Sequence, residues 1–242
     1  MFEMKKADII LVLCVVAVLA PFFSPATGFY DTFVHLTNAH PFLMSFAKFA
    51  ILSTLGEMIG LRISKGTYYT KGFGILPRMI VWGVLGMGIC MSMMIFKAGI
   101  VNVIGVIAAD SSASVPDSIA NIGSIFKGDL SWGKVGIAFC VSVAMNSIFA
   151  PVFMTLHKIT DTHILTNGGT LRGFFRPIKM REIITHLNWD VQWNFVFKKT
   201  IPLFWFPAHT ITFLLPSQFQ VLFAALLGVA LGVILAIANN KK

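Results

Sequence analysis

Glu57 stands in the run LSTLGEMIGL, 52–61, inside a segment that is otherwise almost continuous hydrocarbon. A carboxylate near the centre of a membrane helix costs roughly 2.5–3.5 kcal/mol on insertion scales. A residue held at that cost is expected to have a partner or a task. Arg78 is the natural partner. It lies about five residues past the start of the next apolar segment, and Glu57 about five before the end of its own. At ~1.5 Å per residue the two reach the same depth, roughly 7–8 Å below one membrane face. Consecutive helices joined by a short loop are usually neighbours. Lys48 is the poorer candidate, because nine residues at ~100° each turn it to the far side of the same helix. A Glu57–Arg78 pair has two readings, a charge pair that fixes helix register or part of a polar path; residue types alone leave both open.

Further polar residues fall at depth. Asn146 lies in AMNSIFAP beside Ser147, and His209 in WFPAHTITF beside Thr210. Singly, each is more simply an interhelical hydrogen bond. Together with Lys48, Glu57 and Arg78 they span four different segments, and as a set they predict a hydrophilic interior. Gly56 and Gly60, and again Gly228 and Gly232, have the GxxxG spacing that lets helix backbones approach.

The elements that must position these residues follow from composition. Only 12% of the 242 residues are charged and 56% are hydrophobic, with mean hydropathy +0.80. A soluble domain carries about 25% charge. The chain therefore reads as an all-α integral membrane bundle in one domain, 1–242. About six segments are apolar enough to span: 8–24, 41–61, 73–96, 135–157, 197–215 and 219–238. Pro202 and Pro207 predict a kinked or broken fifth segment.

Placing the N-terminus inside and alternating puts all but four of the 19 Lys and Arg on the inner side. Lys97, Lys127 and Lys134 fall outside, and Lys48 lies within the second segment. This agrees with the positive-inside rule. It predicts a multi-pass protein of the cell (inner) membrane with both termini cytoplasmic. It also accounts for the net charge of +9 through anionic headgroups, without nucleic acid. The first segment, preceded by Lys5 and Lys6 and followed by Ser24-Pro25-Ala26, has a second reading as a cleaved signal.

The same residues carry a resemblance. Tyr30, His40-Pro41 and Gly56-Glu57 look like the Tyr…His-Pro…Gly-Asp opening of the 22-kilodalton peroxisomal membrane protein family, which includes the mitochondrial inner-membrane Mpv proteins. Arg78 and the glycines after it are similar to that family's second helix. Ala144–Pro151 resembles its Asp-Gln…Ala-Pro helix. Trp205-Phe206-Pro207, His209, Thr212-Phe213 and Pro216 resemble its closing Trp-Pro-x-x-Gln-x-x-Asn-Phe-x-x-x-Pro signature. Glu57 stands for Asp, Asn146-Ser147 for Asp-Gln, His209 for Gln and Thr212 for Asn. The resemblance covers roughly 30–236 and leaves the first segment as an addition. It implies a four-helix core and a weakly selective channel, and it adds Thr212 to the expected polar interior.

The loops predict less. An apolar stretch at 98–109 is too short to cross as a helix and reads as interfacial or re-entrant. A short helix is expected at 118–126. Gly128-DLSW-Gly133-Lys134 spells most of a phosphate-binding loop, but Val135 replaces the Ser or Thr that would hold magnesium, and no strand precedes it. Residues 177–197 mix apolar and charged positions, with Trp189 and Trp193, and predict an amphipathic helix on the inner surface. Cys14, Cys90 and Cys140 sit in apolar segments and read as buried hydrophobes. The six histidines show no metal-ligand spacing, and no second acid is expected at the depth of Glu57, so neither enzyme chemistry, a metal nor a cofactor is expected. The expected function is a pore or small-solute transporter, as a monomer or an oligomer. The alternatives are a scaffold or assembly factor docking through the amphipathic segment, and lipid handling at the inner face.

Overall fold

The computed structural model describes residues 5–110 and 125–240. Helix α1, Lys6–Leu19, ends where Pro21 and Pro25 open two short 3-10 turns. Gly28, at φ +59°, reverses the chain into α2, Phe29–Ala39. His40 precedes proline and is pushed out of the helical region, to φ −133° and ψ 62°, which separates α2 from α3, Pro41–Lys65. Helix α4 is Ile75–Asp110 and α5 is Trp132–Thr166. Two short helices follow, α6 at Leu171–Phe174 and α7 at Met180–His186. A π-helix, Val191–Trp205, runs directly into α8, Phe206–Leu214, and α9 is Ser217–Asn240. The protein is an all-helical membrane bundle. Five helices among the described residues are long and apolar enough to span: α1 with its 3-10 extension, α3, α4, α5 and α9.

Several sequence expectations need correction. The segment 197–215 does not form one spanning α-helix. Pro202 and Pro207 each lack an N–H donor, and the chain widens into π geometry around the first. Backbone carbonyls there are taken up by hydroxyls. Thr200 Oγ1 donates to Phe195 O at 3.2 Å, and Ser142 Oγ of α5 donates to Phe206 O at 2.8 Å. The amphipathic helix expected at 177–197 is split, because Leu187 adopts extended backbone after α7. The stretch 98–109 is not re-entrant but a continuation of α4. No stop signal separates Phe96 from Ala98. Between them, Lys97 lays its amine 4.7 Å from the Phe126 ring centroid. Helix α5 likewise passes His157 and ends at Thr166. Of the cysteines only Cys90 is buried by protein; Cys14 and Cys140 lie on outward helix faces, where lipid rather than a core surrounds an apolar side chain. The helix expected at 118–126 falls mostly outside the described residues.

Helices in lipid gain little from the hydrophobic effect, so close backbone approach matters. Helix α3 packs between α4 and α9, and α5 packs on α4 and α8. Glycines set both α3 contacts. A Cβ on Gly86 of α4 would lie 2.5 Å from Phe49 Cβ, and one on Gly56 would lie 3.0 Å from the Val229 backbone of α9. Phe49, Ile89, Met93, Val141, Met145 and Phe213 form the centre of the core. Helix α1 stands apart, with no buried residue. It is tethered at one end, where Asp8 pairs with Arg62 at 2.6 Å and accepts from Tyr68 Oη at 2.7 Å.

Candidate functional site

A cavity of about 500 Å³ lies among α3, α4, α5, the π-helix–α8 junction and α9. Along α5 its wall reaches from Asn146 to Asp161. At ~1.5 Å per residue that stretch covers about 22 Å, most of a ~30 Å hydrocarbon core. Glu57, Arg78, Asn146 and His209 all line it, together with Gly56, Gly60, Gly228 and Gly232.

At one end the charges are fully engaged. Arg78 points each guanidinium nitrogen at a different acceptor. Nη1 donates to Glu57 Oε2 at 2.5 Å, Nη2 donates to Asp161 Oδ1, and Nε donates to Phe73 O at 2.7 Å. Glu57 keeps its second oxygen for two more groups: Trp82 Nε1 donates to Oε1 at 3.1 Å, and His157 Nε2 lies 3.1 Å from it. The Trp82 and His157 ring centroids sit 4.3 Å apart. Lys158 reaches Asp161 at 3.4 Å. Arginine suits this role because its planar fork serves several acceptors at fixed angles.

Two turns hold that end together. The α3–α4 connection carries Gly72 and Gly74, and the turn after α5 carries Gly168 and Gly169, all at positive φ. A Cβ on Gly169 would collide with Gly72 O, and one on Gly74 would lie 2.9 Å from Gly169 Cα. Only bare backbones can meet so closely. The contact brings the end of α5 to the start of α4 and places Asp161 beside Arg78.

Farther along, the cavity wall carries neutral polar groups. Asn146 Nδ2 donates to Ser142 O at 2.8 Å, and Ser142 in turn donates to the π-helix–α8 junction. The His209 ring stacks on Trp205, with centroids 5.1 Å apart and planes 19° from parallel. Ser53 Oγ, Trp205 Nε1 and His209 Nδ1 are buried and have no hydrogen-bond partner among the described residues. All three residues line the cavity.

No family model, no curated protein and no solved structure matches this chain.

Two residues expected in the interior lie elsewhere. Lys48 is buried, but its amine donates to Thr37 Oγ1 at 2.9 Å and rests 4.5 Å from the Phe33 ring centroid, against α2. Thr212 is buried in α8 and donates back to Ala208 O at 3.0 Å. Of the GxxxG glycines, Gly232 sits opposite Gly56 and Gly60, while a Cβ on Gly228 would meet nothing within 4 Å. A Cβ on Gly60 would lie 3.9 Å from Gly232 O, and one on Gly232 would lie 3.9 Å from Gly56 O.

Asp161, His157, Trp82 and Ser53 join the site without having been expected there. Asp161 is a second acid at the depth of Glu57, contrary to the sequence expectation. An apolar segment that stops at His157 leaves it outside. A signal does exist: His157 and Asp161 are four residues apart and share a helix face.

Proposed function

We propose that the protein passes small solutes across the membrane, as a pore or transporter, by way of the cavity among α3, α4, α5 and α9. The observation that carries this reading is the cavity's extent along α5, from Asn146 to Asp161, with polar groups at both ends. A purely structural core at that position would be filled, since protein interiors pack with few voids larger than a water molecule. In this reading the π-helix–α8 rod, Val191–Leu214, makes a sixth crossing between α5 and α9, and the lysine and arginine bias places the Glu57–Arg78–Asp161 end at the cytoplasmic face, with both termini on the same side. That end acts as the closure, because three helices are locked there through one guanidinium. Opening requires Arg78 to exchange its carboxylates for water. The resemblance to the peroxisomal and Mpv family supports the same class of function.

The test is solute flux in liposomes and current in planar bilayers holding the purified protein, wild type beside Glu57→Gln. Flux or conductance that changes with the substitution is the expected result. Absence of both, from protein shown to be folded and inserted, would overturn transport and leave a scaffold role.

A further inference from the structure

The charges that line the cavity do not balance. Among the described residues its charged lining side chains are Glu57, Asp161 and Arg78, two carboxylates against one guanidinium. Lys158 meets Asp161 at 3.4 Å, but it is not part of the lining and its side chain is 51% exposed, so water screens its charge. Exposure tips the balance in the same direction. The Glu57 and Asp161 side chains are 21% and 15% exposed, the Arg78 side chain only 7%. Arg78 is covered by its three acceptors and by the Phe73 ring, whose centroid lies 4.5 Å from the guanidinium carbon. The surface left open at this end is therefore more carboxylate than guanidinium.

Aromatic rings run on from Glu57. Trp82, which donates to Glu57, has its ring centroid 6.4 Å from that of Phe49 and 6.3 Å from that of Phe153. Phe153 in turn lies 5.5 Å from Phe149. All four rings line the cavity. The quadrupole of a ring attracts a cation, and more strongly where water is excluded. An anion gains nothing from such faces and meets a net negative charge. A small inorganic cation would shed its hydration shell against hydrocarbon and thioether, such as Ile89, Met145 and Met154. A cation whose charge lies beneath hydrocarbon has little hydration to lose. A volume of about 500 Å³ falls within the range of small-molecule sites.

We infer that the cavity binds a lipophilic organic cation, an ammonium or phosphonium whose charge is covered by alkyl or aryl groups, seated between Glu57 and the Trp82–Phe153–Phe149 run. The bound cation answers the excess negative charge of the lining, and Arg78 keeps its partners. This rests on the transport reading and deepens it, since it places the solute in the same cavity and states its class.

The experiment uses the purified full chain in detergent at one fixed pH, with two ions of the same shape and opposite charge. Tetraphenylphosphonium is the cation and tetraphenylborate the anion, each measured by equilibrium dialysis against empty micelles. Saturable binding is expected for the phosphonium, and only micelle partition for the borate. Glu57→Gln and Asp161→Asn each bring the lining to zero net charge and are expected to weaken the phosphonium by about tenfold. Phe149→Leu keeps the wall apolar and removes a ring, and is expected to weaken it by about threefold. Unfolding temperatures establish that each variant is folded. Should one of the charge variants not fold, the other carries the test beside the comparison of the two ions on the wild type. No saturable phosphonium site, equal saturable binding of the borate, or phosphonium affinity unmoved in the folded charge variants would overturn the inference. Liposome flux of tetraethylammonium, glycerol and chloride decides the other question separately. Phosphonium binding without any flux keeps the site and removes transport; glycerol or chloride flux without phosphonium binding keeps transport and removes the site.

Discussion

The two parts of the cavity solve the problem of buried polarity in opposite ways. At the Arg78 end, charged groups from three helices are brought together and each is answered by another. Near His209, the groups are neutral and three are left unanswered. A charge left without a counter-charge in a low-dielectric interior carries a penalty several-fold that of a neutral group. A neutral donor or acceptor can be left open at a smaller cost. The fully paired end holds three helices together; the neutral part tolerates groups left open.

Removing the hub puts this contrast under the most strain. Arg78→Met removes the cation that Glu57 and Asp161 share, leaving Asp161 with the half-exposed Lys158 and Glu57 with His157 and Trp82. A loss of about 3–5 kcal/mol is expected, as for other broken buried pairs. Thermal unfolding in detergent measures it, and a change below ~1 kcal/mol would mean the cluster is solvated and weak. Arg78→Lys should recover only part of the loss, since an ammonium cannot serve three acceptors in one plane.

Backbone contact comes next. Gly86→Ala drives a methyl group into Phe49. Overpacking of this kind costs about 1–3 kcal/mol. Gly228→Ala, by contrast, meets open space. It should shift the unfolding temperature by no more than a degree or two, as for a substitution within about 0.5 kcal/mol of neutral. Equal effects at the two positions would contradict the packing described for α3.

At the neutral part the sign should reverse. Ser53→Ala removes an unanswered hydroxyl and should be neutral or stabilise the empty protein by up to about 1 kcal/mol. A loss of stability would reveal a partner for Ser53 and weaken the contrast between the two parts.

The smallest effect concerns the tether of α1. Tyr68 lies in the α3–α4 connection, outside the spanning segments. Burial, and then the hydrogen bond to the Asp8 carboxylate, push its phenol pKa up. The folded value is above the unfolded one. The bond therefore contributes fully below the ordinary tyrosine value of about 10, and is lost as pH rises through the raised value. Alkaline titration of α1 docking should show this loss, followed by a fluorophore on Cys14 in a Cys140→Ala background. Tyr68→Phe should remove that step.

Much of this was legible in the residues themselves. Hydropathy and length define α1, α3, α4, α5 and α9 as spanning helices, because the bilayer imposes both requirements on any chain that crosses it. The Glu57–Arg78 pair was legible too, since both lie close to one short connection and depth follows from counting. Asp161 and Lys48 show where counting stops. Asp161 lies far from Arg78 along the chain, and only the glycine turns at 72–74 and 168–169, meeting backbone to backbone, bring them together. Lys48 is on the helix that carries Glu57, yet its partner is Thr37 of α2, a helix hidden in what reads as a linker.

Residue order and type dictate the solvent and the nearest partners: a bilayer, long apolar helices, a segment distorted by Pro202, and a carboxylate with an arginine at its depth. Which polar groups are answered is settled only by the folded arrangement. Hydrogen-bond satisfaction depends on distances between residues far apart in the chain, so nothing local marks Ser53, Trp205 and His209 as open or Arg78 as saturated. That difference follows from the way α3, α4 and α9 approach across glycine, and from a π-helix that turns Trp205 and His209 onto one wall.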